Sequence, residues 1–577
     1  MKFLPHDPTL TDDENRDAHR ITSYQEGSIT GALATNSKGA LIADDMGVGK
    51  TLQSVEIALR SGAARVLVVA PKDALGQWGE LFSVQSDGRV VVRNLASDKA
   101  GKEAFADFLA GRDGFFVTNV EWLTCQAFGY RPATIPLGDP NGKPLWKTKK
   151  STGEVILKKR KADTIGPAEE PTREAERLNL QTYVGMKALD LFIFDEFHAI
   201  QNGTSLQNRA VSTIQADMRV GLSGTWHGNN FKGAHSTARW VWPGEDENGR
   251  DYVEMSSHLW EQEWCEMKYA CPNCFTGIDE NALVLPGTDA PWKRCVKCQK
   301  RFTKSGAMRP KTSVVGEKVP GEFVKSLPCY FRRKPFPDAP APIKIWVDIT
   351  PEQRAQYAEL EEQAVTWVRD HDGIEAPLVA DLPIVLRQRL RTATLGEMSG
   401  NEDGEIWFAD DARSAKLNAL RGVLDEFDRQ AGKTEPVLIF TDSKRFAKVV
   451  TRRMQAAGKR AVEWTGDVKN ADRQTIKEQF IAGEHDYIVA TISSLAVAVD
   501  GLQKRCSKIV WLSRQESEYL NAQATARIWR PGGNREAFQQ VDILANDTLD
   551  AGTFSRLTET RIRNQKQMTL VVTPVAS

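Results

Sequence analysis

Two series of short apolar runs, rich in β-branched residues, constrain the fold of this chain more than any other feature. The first series is "RVLVVAP", "GFFVTN", "LDLFIFDE" and "RVGLSGT", and the second is "PVLIFTD", "AVEWTG", "DYIVAT" and "KIVWLS". Stretches with helical character separate the runs within each series. Strands that alternate with helices in this way form parallel sheets covered by helices. The sequence therefore predicts an α/β protein with two parallel-sheet lobes in tandem.

The segments around these runs set the expected domain boundaries. We expect lobe 1 at residues 1–240, with a basic loop inserted at about 140–180, and lobe 2 at residues 426–577. Residues 241–335 are rich in Trp, Pro, Gly, Cys and Lys, which predicts a small inserted module. Residues 336–425 are expected to form a helical segment between the lobes.

One helix of the inter-lobe segment has a clear start signal. In "TPEQRAQYAELEEQAVTWV", Thr350 is the expected N-cap, Pro351 the first helical residue and Gln353 the partner in a capping box. An apolar face is then predicted from Tyr357, Leu360, Ala364 and Trp367.

Composition narrows the function classes. With 577 residues, 41% hydrophobic and 26% charged, the chain is long and apolar enough for roughly two to four domains. Basic and acidic residues number 76 each, so net charge says nothing about a nucleic-acid partner. No run of 18 apolar residues and no signal peptide is found, so we expect no membrane partner. The expected location is the cytoplasm of a bacterial or virus-infected cell, or the nucleus of a eukaryote.

The stretch "LIADDMGVGKTLQ" is typical of a phosphate-binding loop between a strand and a helix. Gly47 and Gly49 would let backbone N–H groups approach phosphate oxygens. Lys50 would reach the β and γ phosphates of ATP, and Thr51 would hold Mg²⁺. Asp44 stands where the strict pattern has its first glycine. Considered alone, the stretch could also be a glycine-rich helix cap.

An acidic pair follows a predicted buried strand in "DEFH". The carboxyl ends of parallel strands are where α/β sheets bind ligands. There Asp195 would bind Mg²⁺, and Glu196 would orient or deprotonate the attacking water. A helix cap is the alternative for this pair in isolation, but its combination with the phosphate loop predicts an ATPase site.

Together these stretches resemble the Swi/Snf-like branch of the superfamily 2 helicase and translocase ATPases, which are of DExH type. In that branch the loop reads like "DEMGLGKT", with an acid at the position of Asp44. "SYQEGSITGAL" is similar to the Q motif, "VVAPKDALGQWGEL" to motif Ia, "LSGTWHGNN" to motif III and "QATARIWRPGG" to motif VI. The resemblance implies two RecA-like lobes.

It also implies roles for residues outside the loop. Gln25 would bind the adenine edge of ATP, and Gln523 would join the nucleotide site. Arg527 and Arg530 would act as arginine fingers that enter the cleft from lobe 2. Because they are three residues apart, we expect them on one face of a helix.

The function implied by the resemblance is a DNA-dependent ATPase. It would translocate along double-stranded DNA as a monomer and remodel or displace bound protein. Two alternatives stay open. One is a helicase that separates strands of DNA or RNA, and the other is a zinc-bearing nucleic-acid binding protein with an inactive motor. The presence of Lys50, Asp195, Glu196 and both motif VI arginines favours an active motor.

Four of the eight cysteines form two close pairs, "CPNC" and "CVKC". Cys271 and Cys274 are separated from Cys295 and Cys298 by twenty residues, which predicts a structural four-thiolate zinc ribbon at 271–298. A redox dithiol or unrelated buried cysteines are the alternatives.

Residues 292–334 carry thirteen Lys or Arg and two acids, which indicates either a nucleic-acid contact or a solvated face.

Overall fold

The structure is a computed structural model that describes most of both predicted lobes. The described residues are 2–34, 38–45, 47–128, 146–148, 155–157, 183, 185–224, 226, 231–243, 257–271, 277–278, 295, 297–300, 311–333, 337–369, 375–380, 383–400, 405–495, 501–530 and 532–569. Within these ranges, none of the helices combines the length and the apolar character needed to cross a membrane.

The first part of the chain alternates strands and helices as the apolar runs predict. Its strands are β1 (Gly39–Ile42), β2 (Arg65–Val69), β3 (Val92–Asn94), β4 (Gly114–Thr118), β5 (Trp146–Thr148), β6 (Val155–Leu157), β7 (Leu189–Asp195) and β8 (Ala216–Leu222). Its helices are α1 (Asp12–Asp17), α2 (Ser23–Ala34), α3 (Lys50–Arg60), α4 (Leu75–Gln85), α5 (Lys99–Leu109), α6 (Val120–Phe128), α7 (Leu206–Ser212) and α8 (Gly233–Val241). The antiparallel pair β5 and β6 is the described part of the basic loop expected at about 140–180.

The next segment adds a small antiparallel sheet and one strand of a larger sheet. Its elements are α9 (Ser257–Trp264), β9 (Cys265–Ala270), β10 (Gly277–Ile278), β11 (Lys311–Glu317), α10 (Glu322–Lys325) and β12 (Tyr330–Phe331). The small sheet has the order β10-β9-β11. Among the described residues, seven strands form the sheet of lobe 1 in the order β12-β1-β8-β7-β2-β4-β3, and every neighbouring pair is parallel.

Lobe 1 therefore extends beyond the boundary expected at residue 240. Strand β12 pairs with β1, with Leu41 opposite Tyr330. Aromatic side chains of the same segment are buried in the lobe-1 core, where the rings of Trp260 and Phe323 lie 5.3 Å apart and those of Phe231 and Phe323 lie 5.9 Å apart. The aromatic residues that suggested a separate module between 241 and 335 thus belong in part to the core of lobe 1.

Lobe 2 contains the second series of runs. Its strands are β13 (Ile343–Val347), β14 (Val365–Arg369), β15 (Glu375–Val379), β16 (Ser399–Gly400), β17 (Ile406–Trp407), β18 (Val437–Thr441), β19 (Ala461–Trp464), β20 (Tyr487–Thr491), β21 (Lys508–Trp511) and β22 (Gln539–Ala545). Its helices are α11 (Pro351–Gln363), α12 (Pro383–Leu395), α13 (Ala415–Ala431), α14 (Lys444–Ala456), α15 (Asn470–Ala482), α16 (Ile492–Leu495), α17 (Glu518–Thr525) and α18 (Leu549–Thr569).

The described strands of lobe 2 include a second parallel sheet, with six strands in the order β13-β22-β21-β18-β20-β19. Successive residues of β18 point to opposite faces, so Val437 and Ile439 join one core cluster while Leu438 and Phe440 join the other. Each such fully buried side chain stabilises the fold by about 1.5–3 kcal/mol. The predicted architecture of two parallel α/β lobes is confirmed.

The segment expected between the lobes is part of lobe 2. Strand β13 is an edge strand of its sheet, and Tyr357 and Leu360 of α11 lie in the same core cluster as Val437. The capping box of Thr350 and Gln353 forms as predicted.

The predicted extent of α11 was wrong at its C-terminal end. The helix ends at Gln363, Ala364 has a left-handed backbone with φ of 56°, and residues 365–369 pair with β15. Trp367, placed on the helix face by sequence, is 54% exposed on that strand. The β-branched residues Val365, Thr366 and Val368 favour a strand over a further helical turn.

Candidate active site

The loop between β1 and α3 has a shape that requires glycine at two positions. Gly47 and Gly49 have φ of 80° and 90°, in the left-handed region that favours glycine. A Cβ atom on Gly49 would lie 2.4 Å from Nε2 of Gln25, a distance that real Cβ contacts do not reach. The loop leads directly into α3, whose first residue is Lys50. This is a cradle that fits phosphate groups against a helix N-terminus.

Lys50 and Gln25 both contact this loop. The ammonium of Lys50 donates to the carbonyls of Asp44 and Asp45 at 2.8 and 3.0 Å. Gln25 accepts a hydrogen bond from the Thr22 amide and donates its Nε2 to the Val48 carbonyl at 2.8 Å. Gln25 therefore ties the Q-motif helix to the loop, and its contact with adenine stays a prediction.

The acidic pair lies at the carboxyl end of β7, as predicted. Asp195 is the last residue of the strand and accepts a hydrogen bond from Nε1 of Trp78 at 3.3 Å. Glu196 follows with a left-handed backbone, φ 53°. Such strained backbone at a non-glycine residue is frequent in functional sites.

The surroundings of the two carboxyl groups shift their pKa values in opposite directions. Withdrawal from water raises the pKa of Asp195 above its ordinary value, and the negative charge of Glu196 adds to the effect. Withdrawal from water acts in the same direction on Glu196, but a hydrogen bond and positive charge from His198 lower its pKa below the ordinary value. A divalent cation beside Asp195 would favour its ionised form, so this carboxyl group fits the predicted Mg²⁺ site.

Lobe 2 reaches the acidic pair through α17. Nε2 of Gln523 donates to Oε1 of Glu196 at 3.0 Å, and the hydroxyl of Tyr519 donates to Oε2 at 2.6 Å. Gln523 thus contacts Glu196 across the cleft. Its contact with nucleotide stays a prediction.

The expected helical placement of the two motif VI arginines was wrong. Helix α17 ends at Thr525, and both Arg527 and Arg530 lie in the turns that follow. Pro531 disfavours helical backbone at Arg530, the residue before it. Both arginines nevertheless line the cleft, and the guanidinium of Arg530 lies 3.3 Å from the position that a Cβ on Gly47 would take.

The predicted site residues line one open cleft between the lobes, with a volume of about 530 Å³. The predicted site residues that line it are Gln25, Gly47, Gly49, Lys50, Thr51, Asp195, Glu196, Gln523, Arg527 and Arg530. Residues from the N-terminal segment that sequence reasoning missed also line it, namely Phe3, Arg16 and Arg20. A nucleoside triphosphate with its metal ion fits a cleft of this size and charge.

Comparison with known proteins identifies lobe 1. A family model described as the SNF2-related domain matches residues 24–236. These residues form an SNF2-related domain, an ATPase lobe of the Swi/Snf type. The resemblance to the Swi/Snf-like branch of superfamily 2 is confirmed.

Two curated plant proteins are similar to part of this chain. "DNA repair and recombination protein RAD54" of Oryza sativa subsp. japonica is 24% identical over 215 residues, or 36% of this chain. "Protein CHROMATIN REMODELING 25" of Arabidopsis thaliana is 23% identical over 220 residues, or 37% of this chain. The matches span only 17% and 19% of those two proteins.

One solved structure that matches along most of the chain is the "Sulfolobus solfataricus SWI2/SNF2 ATPase core in complex with dsDNA". It is 16% identical and covers 95% of this chain and 97% of its own. The TM-score of 0.32 is too low to establish a shared arrangement.

Arg332, to which the sequence assigned no role, supports the SNF2-related domain from a position 287 residues after Asp45. Arg332, directly after β12, donates to the carbonyls of Ala43 and Gly224 and to the carboxylate of Asp45, at 2.9 to 3.1 Å. It is 7% exposed. Arg332 therefore links the strand before the phosphate loop to motif III.

Three of the four predicted zinc ligands converge. The sulfur atoms of Cys271, Cys295 and Cys298 all lie within 4.8 Å of one another, and those of Cys271 and Cys298 are 3.6 Å apart. Three thiols at these distances fit a tetrahedral zinc ion. Cys274 and residues 301–310 of the basic stretch lie outside the described residues.

Proposed function

We propose that this protein is a DNA-dependent ATPase that couples ATP hydrolysis to translocation along double-stranded DNA and so remodels or displaces bound protein. The observation that carries the proposal is the cleft itself, to which lobe 1 contributes Lys50, Asp195 and Glu196 and lobe 2 contributes Arg527 and Arg530. A site assembled from two lobes makes hydrolysis depend on closure of the cleft. If closure of the cleft also changes the DNA affinity of each lobe in turn, repeated closure and opening move the two lobes along the duplex. The names of the two plant relatives, which refer to DNA repair and chromatin, support a DNA substrate.

In this proposal, the residues of lobe 1 bind and activate the reactants, and the arginines of lobe 2 stabilise the transition state. Lys50 would bind the β and γ phosphates, and Thr51 and Asp195 would hold Mg²⁺. Bound Mg²⁺ neutralises charge on the triphosphate. Glu196 would orient and deprotonate the attacking water. The arginines of lobe 2 would neutralise charge on the γ-phosphate, a contribution of about 10³ to 10⁵ in rate.

The proposal is tested by ATP turnover measured in parallel without nucleic acid and with single-stranded DNA, duplex DNA and RNA. We expect duplex DNA to stimulate turnover most. Lys50→Ala and Arg530→Ala should each abolish the stimulated turnover while leaving DNA binding largely intact. Turnover retained in both variants would remove the ATPase assignment from this cleft.

Translocation is distinguished from strand separation by two assays on the same preparation. Displacement of a third strand from a triplex, without unwinding of a forked duplex, is expected of a duplex translocase. Unwinding of the fork would support the helicase alternative instead.

We also propose that Cys271, Cys295 and Cys298, with Cys274 as the fourth ligand, hold a structural zinc ion. Metal analysis should find about one zinc per chain, and a chelator should lower the melting temperature. Cys271→Ser and Cys298→Ser should lose zinc, whereas Cys125→Ser, on α6 and apart from the cluster, should retain it. A wild-type chain purified without zinc and indifferent to chelation would exclude this site.

A further inference from the structure

The carboxylate of Glu196 accepts hydrogen bonds from both lobes. From lobe 1, Nδ1 of His198 lies 3.2 Å and Oγ of Ser223 lies 3.4 Å from Oε2. From lobe 2, the Tyr519 hydroxyl reaches Oε2 at 2.6 Å, and Gln523 reaches Oε1 at 3.0 Å. The shortest of these contacts therefore comes from a residue outside every motif identified in the sequence.

Tyr519 is held so that its hydroxyl has a defined direction. It is 8% exposed, and its ring packs edge-on against the His198 ring with centroids 4.3 Å apart. Gln523 lies four residues on along α17, on the same face, and its Nε2 donates to the Tyr519 hydroxyl oxygen. Burial and the negative charge of Glu196 raise the pKa of Tyr519 well above its usual range, so the hydroxyl keeps its proton. It therefore donates to Oε2 of Glu196.

This arrangement makes the two oxygens of Glu196 unequal. A carboxylate oxygen has about two lone-pair sites. Oε2 is already approached by Tyr519, His198 and Ser223, whereas among the described residues Oε1 accepts only from Gln523. Oε1 consequently keeps an acceptor site that can face the cleft.

We infer that Tyr519 is a positioning residue for hydrolysis. By donating a hydrogen bond to Oε2 from lobe 2, it orients the Glu196 carboxylate so that Oε1 accepts the proton of the attacking water. This orientation is present only when the two lobes are in contact. The inference rests on the proposed role of Glu196 as the base. It gives closure a second effect besides delivery of the arginines. When the lobes separate, Glu196 keeps His198 and Ser223 but loses both donors from α17.

The test is Tyr519→Phe, which removes the hydroxyl and keeps the ring that packs on His198. A hydrogen bond to a charged group contributes about 1.5–3 kcal/mol, which corresponds to a fall of roughly 10- to 160-fold in kcat. The KM for ATP should change by no more than about twofold, because Tyr519 acts on the water rather than on binding. The melting temperature should be unchanged.

Tyr357→Phe is the matched control. Tyr357 is a buried tyrosine in the core of lobe 2, and its hydroxyl accepts a hydrogen bond from the Leu549 amide at 2.8 Å. Its loss should leave kcat and KM as in the wild type. This control shows whether a fall in kcat follows from the loss of any buried tyrosine hydroxyl or only from the loss of the hydroxyl that contacts Glu196.

The outcomes separate this inference from the proposed function. If the wild type hydrolyses ATP and Lys50→Ala does not, but Tyr519→Phe retains or exceeds the wild-type kcat, the inference is overturned and the proposed function stands. A Tyr519→Phe variant with kcat, KM and melting temperature all impaired together would show a structural role and also overturn it. A wild type without ATP turnover, or an active Lys50→Ala variant, would instead overturn the proposed function.

Discussion

Asp44 shows at the scale of a single residue why this phosphate loop can lack its usual first glycine. The side chain is fully buried and accepts hydrogen bonds from Nε2 of Gln53 at 2.9 Å and from the Arg333 amide at 2.6 Å. It therefore joins the end of β1 to α3 and to the segment after β12. Its task is to hold the base of the loop, while Gly47 and Gly49 form the turn that would face phosphate.

Glu518 provides a prediction for stability against pH. Burial raises its pKa from 4.5 to about 7, although Arg514 and Arg561 oppose the effect. Because the folded-state pKa is the higher one, the folded chain holds this proton more tightly, and stability falls as pH rises from about 4.5 to 7. Glu518→Gln should remove that loss and stabilise the protein at pH 8 by on the order of 1–3 kcal/mol.

Urea unfolding of wild type and Glu518→Gln at pH 5 and pH 8 checks this prediction. The difference between the two proteins should be small at pH 5 and larger at pH 8. An equal difference at both pH values would show that the Glu518 carboxyl does not titrate in this range.

At the scale of elements, β12 connects the cysteine-bearing segment to the nucleotide cleft. Two residues long, it extends the lobe-1 sheet beside β1, and Arg332 and Arg333 follow it into the base of the phosphate loop. The aromatic cluster of Phe231, Trp260 and Phe323 packs the preceding helices onto the same lobe. The segment expected to be an insertion therefore supports the predicted ATP site directly.

Arg332→Met tests this support. The change leaves two buried carbonyls and the Asp45 carboxylate without their donor, so lobe 1 should lose about 2–4 kcal/mol of stability. The KM for ATP should rise. Arg333→Met is the control, because Arg333 bonds Asp44 and Asp45 through its backbone. Urea unfolding and ATP kinetics would measure both effects, and equal behaviour of the two variants would contradict the assigned role.

At the scale of the whole molecule, the lobes meet through more than the active site. Arg473 of lobe 2 donates to Asp73 of lobe 1 at 3.2 Å, and to the Thr465 carbonyl at 3.3 Å. Asp73 lies in the 3-10 turn Lys72–Ala74, within the stretch that resembles motif Ia. This ion pair and the contacts of α17 with Glu196 both favour the arrangement in which the lobes touch.

A charge swap measures the contribution of this ion pair. Asp73→Arg or Arg473→Asp alone places like charges together and should lower DNA-stimulated kcat by about 2- to 5-fold, as expected for a partly exposed pair. The double swap should restore most of the rate. Swapping Arg452 and Asp410, an exposed pair within lobe 2, should leave the rate unchanged. Additive losses in the double swap would show that the two residues do not act as a pair.

The sequence by itself determined the two sheets, most strand positions, the phosphate loop and the acidic pair. These features depend on local signals, namely apolar runs, glycine positions and carboxylates directly after a strand. The end of α11 was mispredicted because a helical apolar spacing continued through Ala364 to Trp367, while strand pairing with β15 decided the conformation.

Only the tertiary structure decided which distant residues complete the site. A two-residue strand such as β12 has no periodic signal, so neither its place beside β1 nor the reach of Arg332 could be predicted. Likewise, a tyrosine near the start of α17 has no local feature that indicates a carboxylate 323 positions away. Such contacts arise because folding places the ends of strands from both lobes at one cleft, and that placement depends on the packing of the whole chain.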